Sequence, residues 1–154
     1  MKLKTKAIIV DLDGTLCNIS HRRKWVDGSM GKKDCWNKFF EGIEDDKLNW
    51  WCYFICESVR LTKIAEIIFL TGRPENYEHI TRQWLSEHIE PYSYYLYMRK
   101  DGDFRQDSIV KEEIYRKHIE KNFEIIFCID DRQQVVDMWR SKGLVCLQCD
   151  VGDF

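Results

Sequence analysis

Residues 8–16 read Ile8-Ile9-Val10-Asp11-Leu12-Asp13-Gly14-Thr15-Leu16. An apolar run leads into two carboxylates separated by one residue, then a glycine and a threonine. Like charges in a partly desolvated place repel one another, so such a pair is costly unless a cation binds it. Aspartate supplies hard oxygen ligands suited to Mg²⁺, which keeps several waters and a substrate phosphate. Glycine lets the backbone turn sharply beside a ligand.

Three later segments carry compatible chemistry. Ile67-Ile68-Phe69-Leu70-Thr71-Gly72-Arg73 ends an apolar run in a hydroxyl, a glycine and a cation. Thr71 and Gly72 suit a phosphate-binding turn, and Arg73 can add bidentate, charge-assisted contacts. Lys111, in Asp107-Ser108-Ile109-Val110-Lys111, sits in the first turn of an expected helix. A cation there opposes the helix dipole and makes sense beside an anion. Ile129-Asp130-Asp131-Arg132 brings two more carboxylates to the end of another apolar run.

These residue types explain phosphoryl transfer. Asp11 is the expected nucleophile, forming an aspartyl-phosphate. Asp13 is the expected acid and base, protonating the leaving alkoxide and then deprotonating the attacking water. Mg²⁺, Lys111 and Thr71 would offset charge on the equatorial oxygens. The expected metal ligands are Asp11, the Asp13 carbonyl and Asp131, with Asp130 as a further candidate. Sequence alone leaves open which of Asp130 and Asp131 touches the ion.

The elements that must position these residues follow from hydropathy. Short apolar or β-branched runs at 7–10, 64–70, 94–98, 124–129 and 144–147 read as buried strands. Between them lie helical patterns. Tyr77, Ile80, Trp84 and Ile89 share one helix face, and Val110, Ile114 and His118 another, with Asp107 or Ser108 as N-cap. Val135, Val136 and Trp139 mark a third, with Gly143 placed as a C-terminal glycine. Alternating strands and helices imply right-handed crossovers and a mostly parallel sheet. In such a sheet, ligands bind beyond the C-terminal strand ends, where all four motifs lie.

Residues from about 18 to 63 break the rhythm, being longer than one crossover needs. Two helices are expected there, at 34–41 and 46–61. The first, with the loop before it, reads as an insertion able to overhang a site, and the second as the crossover helix. The segment is rich in aromatics, including Trp25, Trp36, Phe39, Phe40, Trp50, Trp51, Tyr53 and Phe54. Taken singly, each reads as core packing in preference to a base-stacking surface.

The chain has 154 residues, 44% hydrophobic and 32% charged, with eight glycines and two prolines. That suits one ordinary domain and excludes disordered, collagen-like and membrane-bundle classes. A net charge of −2 argues against gripping a long nucleic-acid backbone by charge alone. Any such contact must be local, for which Arg22-Arg23-Lys24 is the candidate cluster. Four apolar residues before Asp11 are too few for a secretory leader. The odd count of seven cysteines suggests free thiols in a soluble, cytoplasmic, reducing setting with no membrane association. Cys146-x-x-Cys149 lacks the second pair that a zinc site needs.

The ordered set Asp11-x-Asp13-Gly14-Thr15, Thr71-Gly72-Arg73, Lys111, Asp130-Asp131 resembles the haloacid dehalogenase (HAD) superfamily of aspartate-nucleophile phosphatases. Residues 102–113, 129–140 and the tail Gly152-Asp153-Phe154 narrow the resemblance to the 3′-phosphatase domain of phage-type polynucleotide kinase/phosphatases. It implies an α/β, Rossmann-like three-layer fold with a mostly parallel five-stranded sheet and a small helical cap insertion. One domain spans 1–154, with the cap-like piece and crossover helix at about 18–63. It implies a Mg²⁺-dependent enzyme of nucleic-acid end repair, removing 3′-phosphates from DNA or RNA ends or from nucleoside 3′-phosphates. It further implies that Arg22 and Arg73 contact substrate and that Asp107 is an additional functional acid. Kinases of this family carry a Gly-x4-Gly-Lys-Ser/Thr loop that this sequence lacks, so no 5′-kinase activity is expected and a separate kinase or ligase partner is admissible. A small-molecule phosphatase such as a nucleotidase is the alternative, and a non-catalytic interaction domain the third reading.

Overall fold

Strand β1 (Thr5–Val10) has no polar face along its buried length because it lies in the middle of the sheet. Ile8 and Val10 point into one hydrophobic cluster, Ala7 and Ile9 into the other. This is the two-residue alternation of a strand covered on both sides. The computed structural model describes residues 3–28, 34–89 and 92–152. Asp153 and Phe154, which contribute to the family resemblance, lie outside them.

Five strands form one sheet in the order β5-β4-β1-β6-β7, every neighbouring pair parallel. They are β1, β4 (Glu66–Pro74), β5 (Tyr95–Arg99), β6 (Phe123–Asp130) and β7 (Cys146–Gln148). Two-residue strands β2 (Cys17–Asn18) and β3 (Lys47–Leu48) pair antiparallel outside that sheet. Helices α2 (Trp50–Thr62) and α3 (Glu78–Ile89) cover one face through Cys52, Cys56, Trp84, Leu85 and Ile89. Helices α4 (Asp107–Ile114) and α5 (Gln133–Ser141) flank the other, where Val135, Val136, Trp139 and the π-turn Tyr115–Ile119 following α4 pack. The expected α/β three-layer fold is present, its five-stranded sheet parallel throughout.

Several expected boundaries move, for local reasons. The strand expected to begin at Leu144 begins at Cys146, because the end of α5 uses the intervening amides. Gly143, at φ +76°, donates to Arg140 O at 2.9 Å, and Leu144 N donates to Trp139 O at 3.2 Å. This is a Schellman closure, with the glycine where the left-handed residue must be. Ile64 precedes β4 instead of opening it, since left-handed Lys63 ends α2 there. At the other end, β4 runs on through Thr71-Gly72-Arg73, with its register to β5 shifting after Thr71.

Within the insertion, α1 (Cys35–Glu41) falls where expected, but α2 starts at Trp50, not at 46. Lys47 and Leu48 are taken by the β2 pairing, and Asn49 N donates to Leu16 O at 2.9 Å. Core packing holds for Phe39 and Phe40 and fails for Trp36 on α1, which is exposed, and for three aromatics of α2. Trp50, Trp51 and Phe54 are 63%, 43% and 62% exposed. The helix presents the small Cys52 and Cys56 to the sheet, four residues apart, which leaves the large rings outside. No described helix is long and apolar enough to cross a membrane.

Candidate active site

From β1 the chain works outward through β4 and β5, then returns past β1 to β6 and β7. The direction of winding therefore reverses between β1 and β6. Crossovers leave on opposite faces there, which opens a crevice at the C-terminal strand ends. Asp11 is the first residue after β1 and Asp130 the last of β6. Asp11 N donates to Ile129 O at 3.0 Å, which locks the two strand ends together.

Both carboxylate oxygens of Asp11 are engaged. Lys111 Nζ donates to Oδ1 at 2.8 Å, and Thr15 Oγ1 donates to Oδ2 at 3.2 Å. Lys111 also reaches Asp130 Oδ2 at 2.8 Å and Asp107 Oδ2 at 3.3 Å, so one ammonium faces three carboxylates. Burial pushes the Asp11 carboxyl well above the usual range; Lys111 pulls against this, while Asp130, Asp131 and Asp107 add to it. Burial alone would lower Lys111, but Asp107, Asp11 and Asp130 raise it well above an ordinary lysine. Lys111 is therefore firmly protonated, and the acidic charge around it remains in excess.

Asp13 points the other way. Its Oδ1 accepts from Arg22 Nη2 and Arg73 Nη2, each at 2.5 Å. Burial works to raise this carboxyl, and the two guanidiniums outweigh it, holding Asp13 well below the usual carboxylate range. Both arginines are in turn gripped by Asp46, a buried residue that belongs to none of the sequence motifs. Asp46 Oδ1 accepts from Arg22 Nε at 2.6 Å and lies 2.9 Å from His21 Nε2. Asp46 Oδ2 accepts from Arg22 Nη2 at 2.5 Å and Arg73 Nη2 at 3.0 Å. Trp84 Nε1 donates to the Asp46 carbonyl at 2.8 Å, pinning the backbone from α3. Arg22 is thus 1% exposed, so the basic cluster 22–24 is not one surface patch. Asp13, Cys17 and Asp46 come close enough to bracket an ion, but two cations already fill that space.

Asp107 is the first residue of α4, with Gln106 as N-cap, so neither Asp107 nor Ser108 caps the helix. Its carboxylate serves a cationic cluster instead. It accepts from Arg99 Nη2 at 3.1 Å and pairs with Lys111 and, at 3.6 Å, with Arg132. A Cβ at Gly72 would meet that carboxylate, with Asp107 Cγ only 3.1 Å away. Thr71 Oγ1 accepts from Arg73 N at 3.2 Å. Asp11, Asp13, Thr71, Gly72, Asp107 and Arg132 all border one cavity of about 420 Å³. Its outer wall brings Trp36, Phe40, Tyr77 and Phe104.

Asp11, Asp130 and Asp131 each place a carboxylate oxygen within 4.8 Å of the others. Asp130 Oδ2 is committed to Lys111, and Oδ1 accepts from Arg132 N at 3.1 Å. Asp131 Oδ1, by contrast, is buried with no hydrogen-bond partner among the described residues. An orphaned buried carboxylate oxygen is costly, and burial together with Asp130 raises this carboxyl to about 7. A divalent cation would relieve both, so the residues fit one, with Asp131 better disposed to ligate than Asp130. Cys146 and Cys149 are free thiols and join no such group among the described residues.

Asp131 sits between two glycines. A Cβ at Gly14 or at Gly152 would collide with its Oδ2, each placing Asp131 Cγ at 2.9 Å. Gly14 also has φ +82°, which disfavours any side chain. Gly152 is the cleaner test, since only space is at stake. Gly152→Ala is expected to raise the Mg²⁺ concentration for half-maximal activity by about 10- to 100-fold, as for other residues that orient a ligand. A magnesium titration of phosphate release reads this; an unchanged midpoint would remove Asp131 as a ligand.

Residues 5–154 match the family described as "Polynucleotide kinase PNKP phosphatase domain". The chain is 32% identical to a protein in the solved Pnkp1/Rnl/Hen1 RNA repair complex, with a TM-score of 0.80. That likeness covers 98% of this chain and 44% of the other. A protein of Autographa californica nuclear polyhedrosis virus, named as a bifunctional polynucleotide kinase/RNA ligase, is 27% identical over 136 residues, covering 88% of this chain and 18% of its own. The chain therefore spans less than half the length of these two relatives. A class C acid phosphatase from Bacillus anthracis, solved with tungstate bound, shares the fold at a TM-score of 0.70 and 17% identity, covering 99% of this chain and 69% of its own. With a family match across nearly its whole length, the chain belongs to the phosphatase-domain family of PNKP-type polynucleotide kinases, HAD-fold phosphoric monoester hydrolases.

Proposed function

We propose that the chain removes 3′-phosphates from DNA or RNA ends or from nucleoside 3′-phosphates, through an aspartyl-phosphate on Asp11. The observation that carries the chemistry is Asp11 held 2.8 Å from Lys111 beside the orphaned Asp131 oxygen. Family membership supports the polynucleotide substrate.

Asp11 attacks phosphorus; its new oxygen–phosphorus bond forms as the bond to the 3′ oxygen breaks. Lys111 and Thr71 bind the equatorial oxygens, and the Lys111 ammonium favours the ionised form of the nucleophile, opposing part of the effect of burial. Asp13 gives the leaving alkoxide a proton. The two guanidiniums on Asp13 must loosen for it to carry that proton, and an arriving phosphate competes for their donors. In the second half Asp13, again a carboxylate, takes a proton from water. The water oxygen bonds to phosphorus, the Asp11–phosphorus bond breaks, and inorganic phosphate leaves. Asp11, the Asp13 carbonyl and Asp131 would hold Mg²⁺, with Asp130 steadying Lys111 behind them. When bound, the ion supplies positive charge to offset the phosphate.

In this reading the insertion at about 18–63 is a small cap, supplying Arg22, Asp46 and the α1 wall of the cavity. A separate kinase or ligase would act on the end that this site leaves. A 3′-phosphorylated oligonucleotide is expected to release phosphate with Mg²⁺ and not with EDTA. Turnover of free 5′-mononucleotides alone would instead make the enzyme a small-molecule phosphatase.

A further inference from the structure

We infer that the outer wall of the cavity is a stacking platform for the terminal nucleobase, formed by Trp36 on α1 and Phe104 in the loop before α4. The inference rests on the phosphatase reading above and adds what part of the substrate is recognised.

Trp36 is 47% exposed although it lies in a ring cluster. It stacks on Phe40 with centroids 5.8 Å apart and planes at 26°, and Phe40 lies 5.1 Å from Tyr77. Phe40 is buried, so the cluster backs Trp36 and fixes its plane, leaving one side open to the cavity. Phe104 comes from a separate segment, lines the same cavity and is 96% exposed. The loop that carries it is not loose. Arg99 Nη1 donates to the carbonyls of Asp103 and Arg105 at 2.9 and 2.7 Å, and Arg105 Nε donates to Asp103 Oδ1 at 3.0 Å. Two aromatic surfaces are thus held by ordered segments at the mouth of a cavity whose floor is Asp11, Thr71 and Lys111's partners.

A cavity of about 420 Å³ is of small-ligand size, within the usual range of roughly 300–1,000 Å³. It accommodates one nucleotide and not a strand. Every base has a π-face, so stacking recognises an end without demanding a sequence. It also needs no run of phosphate contacts, in keeping with a net charge of −2. Asn37, Asn76 and Gln106 border the same space and offer amides to base edges.

The experiment compares oligonucleotides ending in a normal 3′-phosphorylated nucleoside and in a 3′-phosphorylated abasic deoxyribose. The wild-type chain is expected to favour the base-bearing end by about 10-fold or more in kcat/KM, mainly through KM. Trp36→Ala and Phe104→Ala are each expected to shrink that ratio several-fold. Phe104 is so exposed that its replacement leaves the fold intact, which keeps the test valid if Trp36→Ala folds poorly. Equal turnover of both ends by the wild type overturns the stacking platform and leaves the phosphatase reading standing. Release of phosphate from neither end overturns both.

Discussion

Asp11→Asn is expected to reduce phosphate release from a 3′-phosphorylated oligonucleotide by about ten-thousand-fold or more, the order seen when a covalent nucleophile is removed. The amide cannot form the acyl-phosphate bond, and no other carboxylate can take its place. Asp13 is turned toward Arg22 and Arg73, while Asp130 is occupied by Lys111. The variant is expected to keep the fold. Asp11 is one of several crowded acidic groups, its carboxyl already pushed up by burial, so a neutral isostere relieves repulsion. Lys111 retains Asp107 and Asp130 as partners. A thermal midpoint equal to or above that of the wild type, with hydrolysis gone, is the expected pair of readings. Full hydrolysis in a well-folded Asp11→Asn protein would end the nucleophile assignment.

Asp46→Ala is expected to be the most destabilising of the site substitutions, at about 3–5 kcal/mol, the range for breaking a buried ion pair by removing one partner. Asp46 is wholly buried and holds both guanidiniums. Without it, Arg22 and Arg73 remain buried beside each other with Asp13 as their one shared acidic partner in this network. Urea denaturation should show a lower midpoint at an unchanged slope. Adding Arg22→Met to Asp46→Ala should recover part of the loss, because the stranded charge goes with it. Additive losses in the double variant would mean that the two residues are not coupled.

Asp46 also marks where sequence reading stops. It follows Glu44 and Asp45, and the sequence pattern makes it no more than the first residue of a helix expected at 46–61. Its burial depends on Lys47 and Leu48 pairing with Cys17 and Asn18, two residues a side, too short to leave a periodic trace. It depends equally on a hydrogen bond from Trp84, 38 residues away. Long-range burial of this kind has no local signature. The inward turn of Arg22 was hidden for the same reason, since its neighbours Arg23 and Lys24 read as a basic face. Lys111 was legible as a helical cation, although it lies one turn into α4 and not in the first turn as expected. Asp11, Thr71 and Asp130 were legible because each ends or follows an apolar run. In a parallel sheet that position by itself assigns them to one rim. The exposed rings of α2 were misread because aromatic content measures hydrophobicity and says nothing of direction. Only the spacing of Cys52 and Cys56 reveals which side faces inward.

The glycine cradle around Asp131 has a consequence for biosynthesis. Gly14 lies near the start of the described chain and Gly152 at its far end, where Gly152 N donates to Asp131 O at 2.9 Å. A nascent polypeptide emerging from the ribosome therefore carries Asp11 early, and gains the last backbone hydrogen bond to Asp131 only once residue 152 has been translated and docked. A chain cut before Gly152 loses that support of the Asp131 backbone, and is expected to need more Mg²⁺ for the proposed hydrolysis.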